Sequence, residues 1–342
     1  MADPTPTGPA PDDQHAAESS HDRTEVSAVV DVPVRAPRRT GWRRLVRPLA
    51  VAVVAIFVVV FVVSNWDGVS DGLSRLTVGG LVVSLAAALV GVFASMLSWR
   101  AILRGAGSRL TVRASARIFF LSQLGKYVPG SIWPIVAQME LSQRYEVPKA
   151  RVGFAALTQM LVGVATGSVV AAVALVTSSP DALSTYWWLP VVGVASLVAL
   201  TPPVLDLAIR LAARVSGGRF SVGDRMTWRT VGASAAWGVV MWLAFGVHLW
   251  VMAAELSPSG DRLLLLSTGG YALASVVGIL IVILPAGAGA REAVLVLVFA
   301  GAMGREDALV IALVSRFLML LADLLGAGVA VLAARRRLRV TG

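Results

Sequence analysis

The sequence predicts an all-α, polytopic integral membrane protein with about 6–8 transmembrane helices and two re-entrant or broken hairpins. Of its 342 residues, 56% are hydrophobic and only 15% are charged, whereas a soluble domain averages roughly 25% charged residues. Several apolar runs reach about 20 residues, which is enough to cross a hydrocarbon core roughly 30 Å thick. Residues 124–134 and 284–292 interrupt this pattern with glycine, proline and charge. Broken helices survive at membrane depth only where protein or a water-filled cavity covers them, so we expect these two breaks to form the working centre.

The chain begins with residues 1–44, which are rich in proline, aspartate, alanine and serine. This composition cannot bury a core and predicts a disordered tail. Arginines flank the apolar runs on one side of the predicted membrane, which marks that side as cytoplasmic. The first cluster consists of Arg35, Arg38, Arg39, Arg43, Arg44 and Arg47. We therefore expect a multi-pass protein of the inner or plasma membrane with a cytoplasmic N-terminal tail and a short basic cytoplasmic tail at residues 336–342. The net charge of +10 then reflects membrane topology, not nucleic-acid binding.

The predicted transmembrane domain covers residues 45–335, and its first half covers about 46–177. Three apolar runs in this half are predicted spans, at about 46–63, 76–97 and 152–176. The segment that joins the first two contains Asp67 and Asp71 and is expected to be a short loop. Residues 114–141 contain the first break and have basic residues on both sides, which predicts a hairpin entered from the cytoplasm.

The second half, about 187–334, repeats this order. Its predicted spans lie at about 187–209, 231–254 and 308–334. Pro202 and Pro203 predict a kink in the first of them. Residues 263–303 contain the second break and form either a deep hairpin entered from outside or two full spans. The same order in opposite orientation predicts an inverted-topology repeat, the architecture of many secondary transporters.

The first break combines Lys126, Pro129, Gly130 and Ser131. Ser131 is expected to open a helix, and a helix N-terminus beside the Lys126 ammonium forms a site for an anion such as phosphate. The alternative is that Lys126 extends to the cytoplasmic interface and the glycines only allow a turn.

The second break contains Pro285, Gly287, Gly289, Arg291 and Glu292. Neighbouring charges on a helix point apart, so Arg291 and Glu292 each need a partner elsewhere. Two further charges, Arg316 and Asp323, share one face of the last predicted helix. We expect Arg291 to pair with Asp323, or Glu292 with Arg316. Charge inside a span usually lines a polar path or forms a structural pair, and both alternatives stay open.

Other polar residues are weaker candidates. Gln138, Glu140 and Gln159 are expected near the same cavity. His248, inside a predicted span, either relays protons or bonds to a backbone carbonyl. Gly125 is expected to allow close backbone approach at the first break.

Enzyme signatures are missing from the sequence. There is no cysteine, which excludes disulfides and thiolate chemistry. No P-loop is present, and His248 is the only histidine outside the tail, so we expect neither ATP use, a metal centre nor a Ser-His-Asp triad. We expect a protein without cofactors that is not an enzyme.

The Gly-Lys-Tyr-x-Pro-Gly block at 125–130 and the Pro-x-Gly-x-Gly-x-Arg-Glu block at 285–292 resemble a known family. They are similar to the flippase-like transmembrane region of lysylphosphatidylglycerol synthases, over most of residues 45–335. The resemblance implies a region that moves an aminoacylated phospholipid between leaflets after a soluble domain has made it. That soluble domain does not follow the last span in this sequence, so we do not expect lipid aminoacylation. The matching positions are Lys126, Pro129, Gly130, Pro285, Gly287, Gly289, Arg291 and Glu292.

These observations lead to one principal hypothesis and two alternatives. The principal hypothesis is a translocase for a phospholipid or another polar-headgroup lipid, with membrane lipids as its partners and Lys126 and Arg291 binding a headgroup phosphate. Glu292 and Asp323 would balance charge or favour a cationic headgroup. The first alternative is a non-transporting membrane partner of a lipid-modifying or envelope-glycan enzyme. The second is a secondary transporter of small solutes.

Overall fold

The computed structural model describes residues 1–2, 63, 66–127, 132–178, 187–215, 226–257, 260, 262–280 and 289–338. The predicted tail and first span lie outside these residues apart from positions 1–2 and 63. Residues 128–131 of the first break and the stretch 281–288 at the second also lie outside them. The described residues form eleven α-helices: α1 (Trp66–Arg75), α2 (Val78–Gly105), α3 (Val112–Gln123), α4 (Trp133–Ser142), α5 (Lys149–Ser178), α6 (Trp188–Ala199), α7 (Pro202–Val215), α8 (Trp228–Leu256), α9 (Leu263–Leu280), α10 (Ala290–Phe299) and α11 (Arg305–Leu338). Short 3₁₀ turns follow α3 at Leu124–Tyr127 and α4 at Gln143–Tyr145.

Five of these helices, α2, α5, α8, α9 and α11, are long and apolar enough to cross a membrane. No strand occurs in the part of the chain that the structure describes. The predicted all-α, polytopic membrane fold is therefore confirmed. The inverted-topology relation between the halves and the orientation in the membrane stay predictions.

The predicted span at 187–209 is broken near its middle. Helices α6 and α7 meet at an angle of 67°, immediately before Pro202 and Pro203. Proline lacks the N–H that a continuing helix needs, and its ring clashes with the preceding turn, so the predicted kink becomes a full break.

The expected loop between the first two spans is wrong, because residues Trp66–Arg75 form helix α1. Tertiary contacts with α11 stabilise it. A Cβ on Gly72 would lie only 2.7 Å from Cγ2 of Val310, so the two helices pack closely. At its end, Arg75 forms ion pairs with Asp71 and with Asp307 of α11.

The core of the described unit is the long contact between α2 and α8, which α5, α9 and α11 flank. Polar groups inside this contact satisfy one another. Ser98 and Ser234 exchange hydrogen bonds across it. The Nδ1 atom of fully buried His248 lies 2.7 Å from Ser84 Oγ and 3.1 Å from the Ser84 carbonyl, and its Nε2 atom lies 2.8 Å from Ser315 Oγ. The prediction that His248 bonds to a backbone carbonyl is therefore confirmed.

Both predicted breaks bring short helices into the interior. Helices α3 and α4 have 12 and 10 residues, which is about 18 Å and 15 Å of length against a core roughly 30 Å thick. They pack on each other and on α11 and α5, respectively. In the second break, α9 is long enough to span, whereas α10 has 10 residues and is too short to be a full span by itself.

Candidate functional site

The candidate site lies where three elements meet: the 3₁₀ turn after α3, the start of α10, and the middle of α11. On α11, Arg316 and Asp323 lie about 12 Å and about 22 Å along the helix from Ala308, where the apolar run begins. Both positions fall within the thickness of a hydrocarbon core. The two residues share one face, as predicted, and each reaches toward a different break.

Asp323 connects α11 to the first break. Its side chain is fully buried, and its Oδ2 atom lies 2.7 Å from the Lys126 ammonium. The Tyr127 hydroxyl donates a hydrogen bond of 2.5 Å to the same oxygen. The other oxygen, Oδ1, has no hydrogen-bond partner among the described residues. Lys126 is therefore directed inward and not to the interface, which removes the snorkelling alternative.

Arg316 connects α11 to the second break through an ion pair with Glu292. The other carboxylate oxygen of Glu292 accepts a hydrogen bond of 2.7 Å from the backbone N–H of Gly289. Gly289 has a positive φ of 82° and caps α10, so Glu292 also anchors the start of that helix. Of the two predicted pairs, Glu292 with Arg316 is confirmed. Arg291 with Asp323 is wrong, because Asp323 binds Lys126 and Tyr127 through Oδ2 and Arg291 bonds to Ser275 instead.

Arg291 points away from its neighbour Glu292, toward α9. Its guanidinium donates a hydrogen bond of 2.9 Å to Ser275 Oγ and lies 5.0 Å from the centre of the Tyr271 ring. Within the described part of the chain, no salt bridge joins Arg291 to a carboxylate. Among the described residues, Arg291 is thus a cation whose hydrogen-bond and ring partners are neutral.

A cavity of about 300 Å³ opens between the two breaks and the long helices. Its lining includes the polar side chains of Ser95, Gln123, Lys126, Gln138, Gln159, Tyr271, Ser275 and Arg291. It also includes the apolar side chains of Val92, Ile135, Met160, Met241, Trp242, Phe245, Ile279 and Met319. A smaller cavity of about 40 Å³ adjoins it and reaches Tyr127, Glu292 and Arg316. Lys126 and Arg291 line both cavities, so the cations of the two breaks face one shared space.

Of the remaining candidate residues, two line the cavity and one does not. Gln138 and Gln159 line the larger cavity as expected. Glu140 does not, because it is exposed and pairs with Lys149 at 2.6 Å. The hydrogen bond from the Lys149 ammonium holds the pKa of the Glu140 carboxyl below its ordinary value.

Backbone geometry supports the glycines that the structure describes. A Cβ on Gly125 would lie 3.0 Å from the backbone nitrogen of Pro134, so the 3₁₀ turn and α4 need a glycine here. Helix α4 begins at Trp133, and its cap residue Ile132 makes no side-chain cap bond. Pro129, Gly130, Ser131, Pro285 and Gly287 lie outside the described residues, and their roles stay predictions.

Sequence reasoning missed Tyr271 and Ser275, which hold the Arg291 side chain. Their spacing of four residues places them on one face of α9. A tyrosine and a serine on one face of an apolar helix just before a break were the available signal. The part of the chain that the structure describes contains no cluster of histidine, cysteine, aspartate or glutamate that could hold a metal ion.

Residues 49–327 match the family model for the lysylphosphatidylglycerol synthase TM region. This match covers every described element from α1 to the middle of α11, including both breaks and the cavity. No curated protein matches the chain. The matched family is that of a membrane domain associated with lipid handling, and the described helices are those of a multi-pass membrane protein. The chain belongs to the family of the lysylphosphatidylglycerol synthase transmembrane region.

Proposed function

We propose that the protein is a lipid translocase, which moves a phospholipid or another lipid with a polar headgroup between the leaflets of the cell membrane. The observation that carries this proposal is the mixed lining of the larger cavity, which combines the cations Lys126 and Arg291 with aromatic and aliphatic side chains. Its volume of about 300 Å³ lies at the lower end of the range for small-molecule pockets. An amphiphile with a compact polar headgroup matches such a wall.

The cations favour a phosphate as part of this headgroup. Lysine and arginine side chains are the usual hydrogen-bond donors to phosphate in proteins. Their hydrogen bonds to an ionised oxygen are stronger than hydrogen bonds between neutral groups. Placing such cations among membrane-spanning helices is costly unless they serve a partner or a polar path. Arg291 bonds to Ser275 and lies over the Tyr271 ring, and none of the salt bridges among the described residues includes it, which supports a role in binding an anion.

The broken helices support movement as well as binding. Secondary transporters commonly bind substrate at discontinuous helices near the bilayer midplane, where the two halves of an inverted repeat meet. In our proposal the halves at about 46–177 and 187–334 tilt against each other around the cavity, with α11 linked to both breaks through Asp323 and Arg316. Both termini lie in the cytoplasm, in keeping with the positive-inside distribution of arginine. The lipid is moved without covalent change.

Leaflet exchange in proteoliposomes tests this function. Purified protein is reconstituted with phospholipids that carry a reducible fluorophore on one acyl chain, and an impermeant reductant reports the fraction that reaches the outer leaflet. We expect protein-dependent exchange that is lost in Lys126→Gln and Arg291→Gln. The matched control is Lys149→Gln, which removes an exposed lysine from the pair with Glu140 outside the cavity. This control should exchange lipid at the wild-type rate.

Two other outcomes would lead to different functions. Absence of exchange for every lipid, together with stable co-purification of a lipid-modifying or envelope-glycan enzyme, would favour a membrane partner role. Substrate-dependent uptake of a water-soluble molecule into the vesicle lumen, without lipid exchange, would favour a solute transporter. Loss of folded protein in Lys126→Gln and Arg291→Gln would instead assign the two cations a structural role.

A further inference from the structure

We propose that the cavity selects lipids whose headgroup carries a net negative charge, namely a phosphodiester with uncharged hydroxyl-bearing substituents, over headgroups that carry an added ammonium group. This inference rests on the proposed function and names the substrate class of the same site. It is drawn from the charge balance of the site and from one buried amide.

Both carboxylates of the site are already neutralised by protein groups. Asp323 binds the Lys126 ammonium and the Tyr127 hydroxyl through one oxygen. Glu292 binds Arg316 through one oxygen and the Gly289 N–H through the other. Neither carboxylate lines the larger cavity, and the unpartnered Oδ1 of Asp323 is buried away from it. The expectation that these carboxylates favour a cationic headgroup therefore loses its basis.

The cations of the site exceed its carboxylates by one. Lys126, Arg291 and Arg316 stand against Glu292 and Asp323, and Arg291 is the cation that no described carboxylate pairs. The larger cavity is lined by the two cations Lys126 and Arg291 and by no acidic residue among those described. Residues 128–131 and 281–288, which follow Tyr127 and Leu280 in the sequence, contain no aspartate or glutamate either.

An anionic headgroup completes this balance. A phosphodiester carries one negative charge, which equals the single excess positive charge of the site. In a low-dielectric interior an opposite charge within a few ångströms favours the pair strongly, whereas like charges repel. A headgroup with an added ammonium would bring positive charge toward Arg291 with no carboxylate to receive it, which costs several kcal/mol at a protein interface.

The neutral wall of the cavity suits hydroxyl groups. Gln138 is buried at 4% exposure, and its Oε1 atom has no hydrogen-bond partner among the described residues. A buried amide oxygen without a hydrogen-bond partner destabilises the protein. A ligand hydroxyl that donates a hydrogen bond to it would remove this cost. Ser95 and Gln159 line the same cavity, where Gln159 Nε2 donates a hydrogen bond of 3.4 Å to Ser95 Oγ. Such neutral groups match an uncharged polyol such as glycerol.

The first test compares three lipids with identical, fluorophore-labelled acyl chains in the proteoliposome assay: phosphatidylglycerol, phosphatidylethanolamine and lysylphosphatidylglycerol. We expect phosphatidylglycerol to exchange at least about tenfold faster than the lysyl lipid, because the latter places like charges together. Equal or faster exchange of the lysyl lipid would overturn the inference and leave the proposed function standing. Exchange of none of the three would overturn both.

The second test moves the charge balance without touching a cation. Ser275→Asp places a carboxylate beside Arg291, whereas Ser275→Asn keeps a neutral hydrogen-bonding group of the same size. We expect Ser275→Asp to lose the preference for phosphatidylglycerol while Ser275→Asn retains it. The Asp variant is first checked for folding by its elution profile and thermal stability in detergent. If it fails to fold, Arg291→Gln takes its place and lipid binding is measured instead of exchange, because this variant is expected to lose exchange; its purified form should bind phosphatidylglycerol and the lysyl lipid equally, whereas the wild type binds phosphatidylglycerol more tightly. An unchanged preference in the folded variant would contradict the charge argument.

A free anion offers the same chemistry as a lipid phosphate, and a third arm separates them. Inorganic phosphate is added outside vesicles that contain the protein, and its uptake is followed together with lipid exchange. We expect neither uptake nor inhibition of exchange at concentrations equal to the lipid. Protein-dependent phosphate uptake would assign the site to a free anion and overturn the choice of a lipid headgroup.

Discussion

Lys126 and Asp323 form an ion pair in which the carboxylate is fully buried and the two charged atoms lie 2.7 Å apart. The pair joins the first helix break to α11, and the Tyr127 hydroxyl completes it from the same turn. Arg316 and Glu292 make the corresponding connection to the second break. Helix α11 is therefore bound to both breaks through charges on a single face.

The Lys126–Asp323 pair should be more costly to break than to replace. Removing one partner leaves a buried charge without compensation, which costs about 3–5 kcal/mol in fully buried pairs. Lys126 is 27% exposed and Asp323 is fully buried, so we expect about 2 kcal/mol for Asp323→Asn, which leaves the partly solvated ammonium, and about 3 kcal/mol for Lys126→Gln, which leaves the buried carboxylate. The double variant Lys126→Met/Asp323→Leu should recover most of the loss, because an apolar pair carries no desolvation cost.

Chemical denaturation of the purified protein in detergent measures these differences in the free energy of unfolding. The exposed pair of Glu140 and Lys149 provides the control, since the surface variant Lys149→Gln should change the free energy of unfolding by at most about 1 kcal/mol. A double variant as unstable as the single ones would show that the two charges do not act as a pair. Lipid exchange should be absent from the double variant although it is folded, because Lys126 is also a proposed phosphate ligand.

Glu292 serves two partners, and two substitutions separate them. Glu292→Gln removes the ion pair with Arg316 and leaves an amide oxygen that accepts from the Gly289 N–H. Glu292→Ala removes both, and loss of an N-terminal capping contact adds about 1 kcal/mol. We therefore expect Glu292→Ala to lower the free energy of unfolding by about 1 kcal/mol more than Glu292→Gln does. Equal stability of the two variants would mean that the hydrogen bond to Gly289 does not hold the start of α10.

Gly289 should resist replacement because of its backbone conformation. Its φ of 82° is a region that L-residues enter at a cost of about 1–3 kcal/mol. A Cβ at this position would meet no described atom within 4 Å, so the cost of Gly289→Ala is conformational and not steric. The matched control is Gly301→Ala, where a Cβ also finds open space and φ is not positive. Thermal unfolding should show a lower Tm for Gly289→Ala than for Gly301→Ala. Equal Tm values for the two variants would show that the backbone at Gly289 imposes no conformational cost on alanine.

The positions of the long helices and breaks could be predicted because apolar length and punctuation by proline and glycine are local properties of the sequence. The ion pair of Glu292 and Arg316 could also be proposed from the sequence, because the two residues have opposite charges and Arg316 lies on the predicted face of α11. The capping position of Glu292 at the start of α10 fixes the direction of its side chain.

Other features depend on contacts between distant segments. Helix α1 is stabilised by α11 and carries charged residues at both ends, so hydropathy assigned it to a loop. The pairing of Asp323 with Lys126 and not with Arg291 depends on how closely α3 approaches α11, where a Cβ on Gly326 would lie 2.7 Å from Phe120 Cδ1. The neutral groups around Arg291 come from α9, whose high apolar content concealed Tyr271 and Ser275 as site residues.

Replacement of Gln138 distinguishes a structural role from a binding role, because the two roles predict opposite changes in the free energy of unfolding. Its buried Oε1 atom has no partner among the described residues, and a buried polar group without a partner lowers stability by about 1–3 kcal/mol. Gln138→Leu removes that cost, so we expect the free energy of unfolding to stay level or to rise by about 1 kcal/mol. Exchange of phosphatidylglycerol should nevertheless fall several-fold, because the headgroup hydroxyls lose an acceptor. The control is Gln143→Leu, which alters an exposed glutamine bonded to Glu140 outside the cavity and should leave exchange unchanged. A Gln138→Leu protein that is less stable and exchanges lipid normally would show that the amide supports the fold through a partner at the break, and the proposed contact with substrate would be wrong.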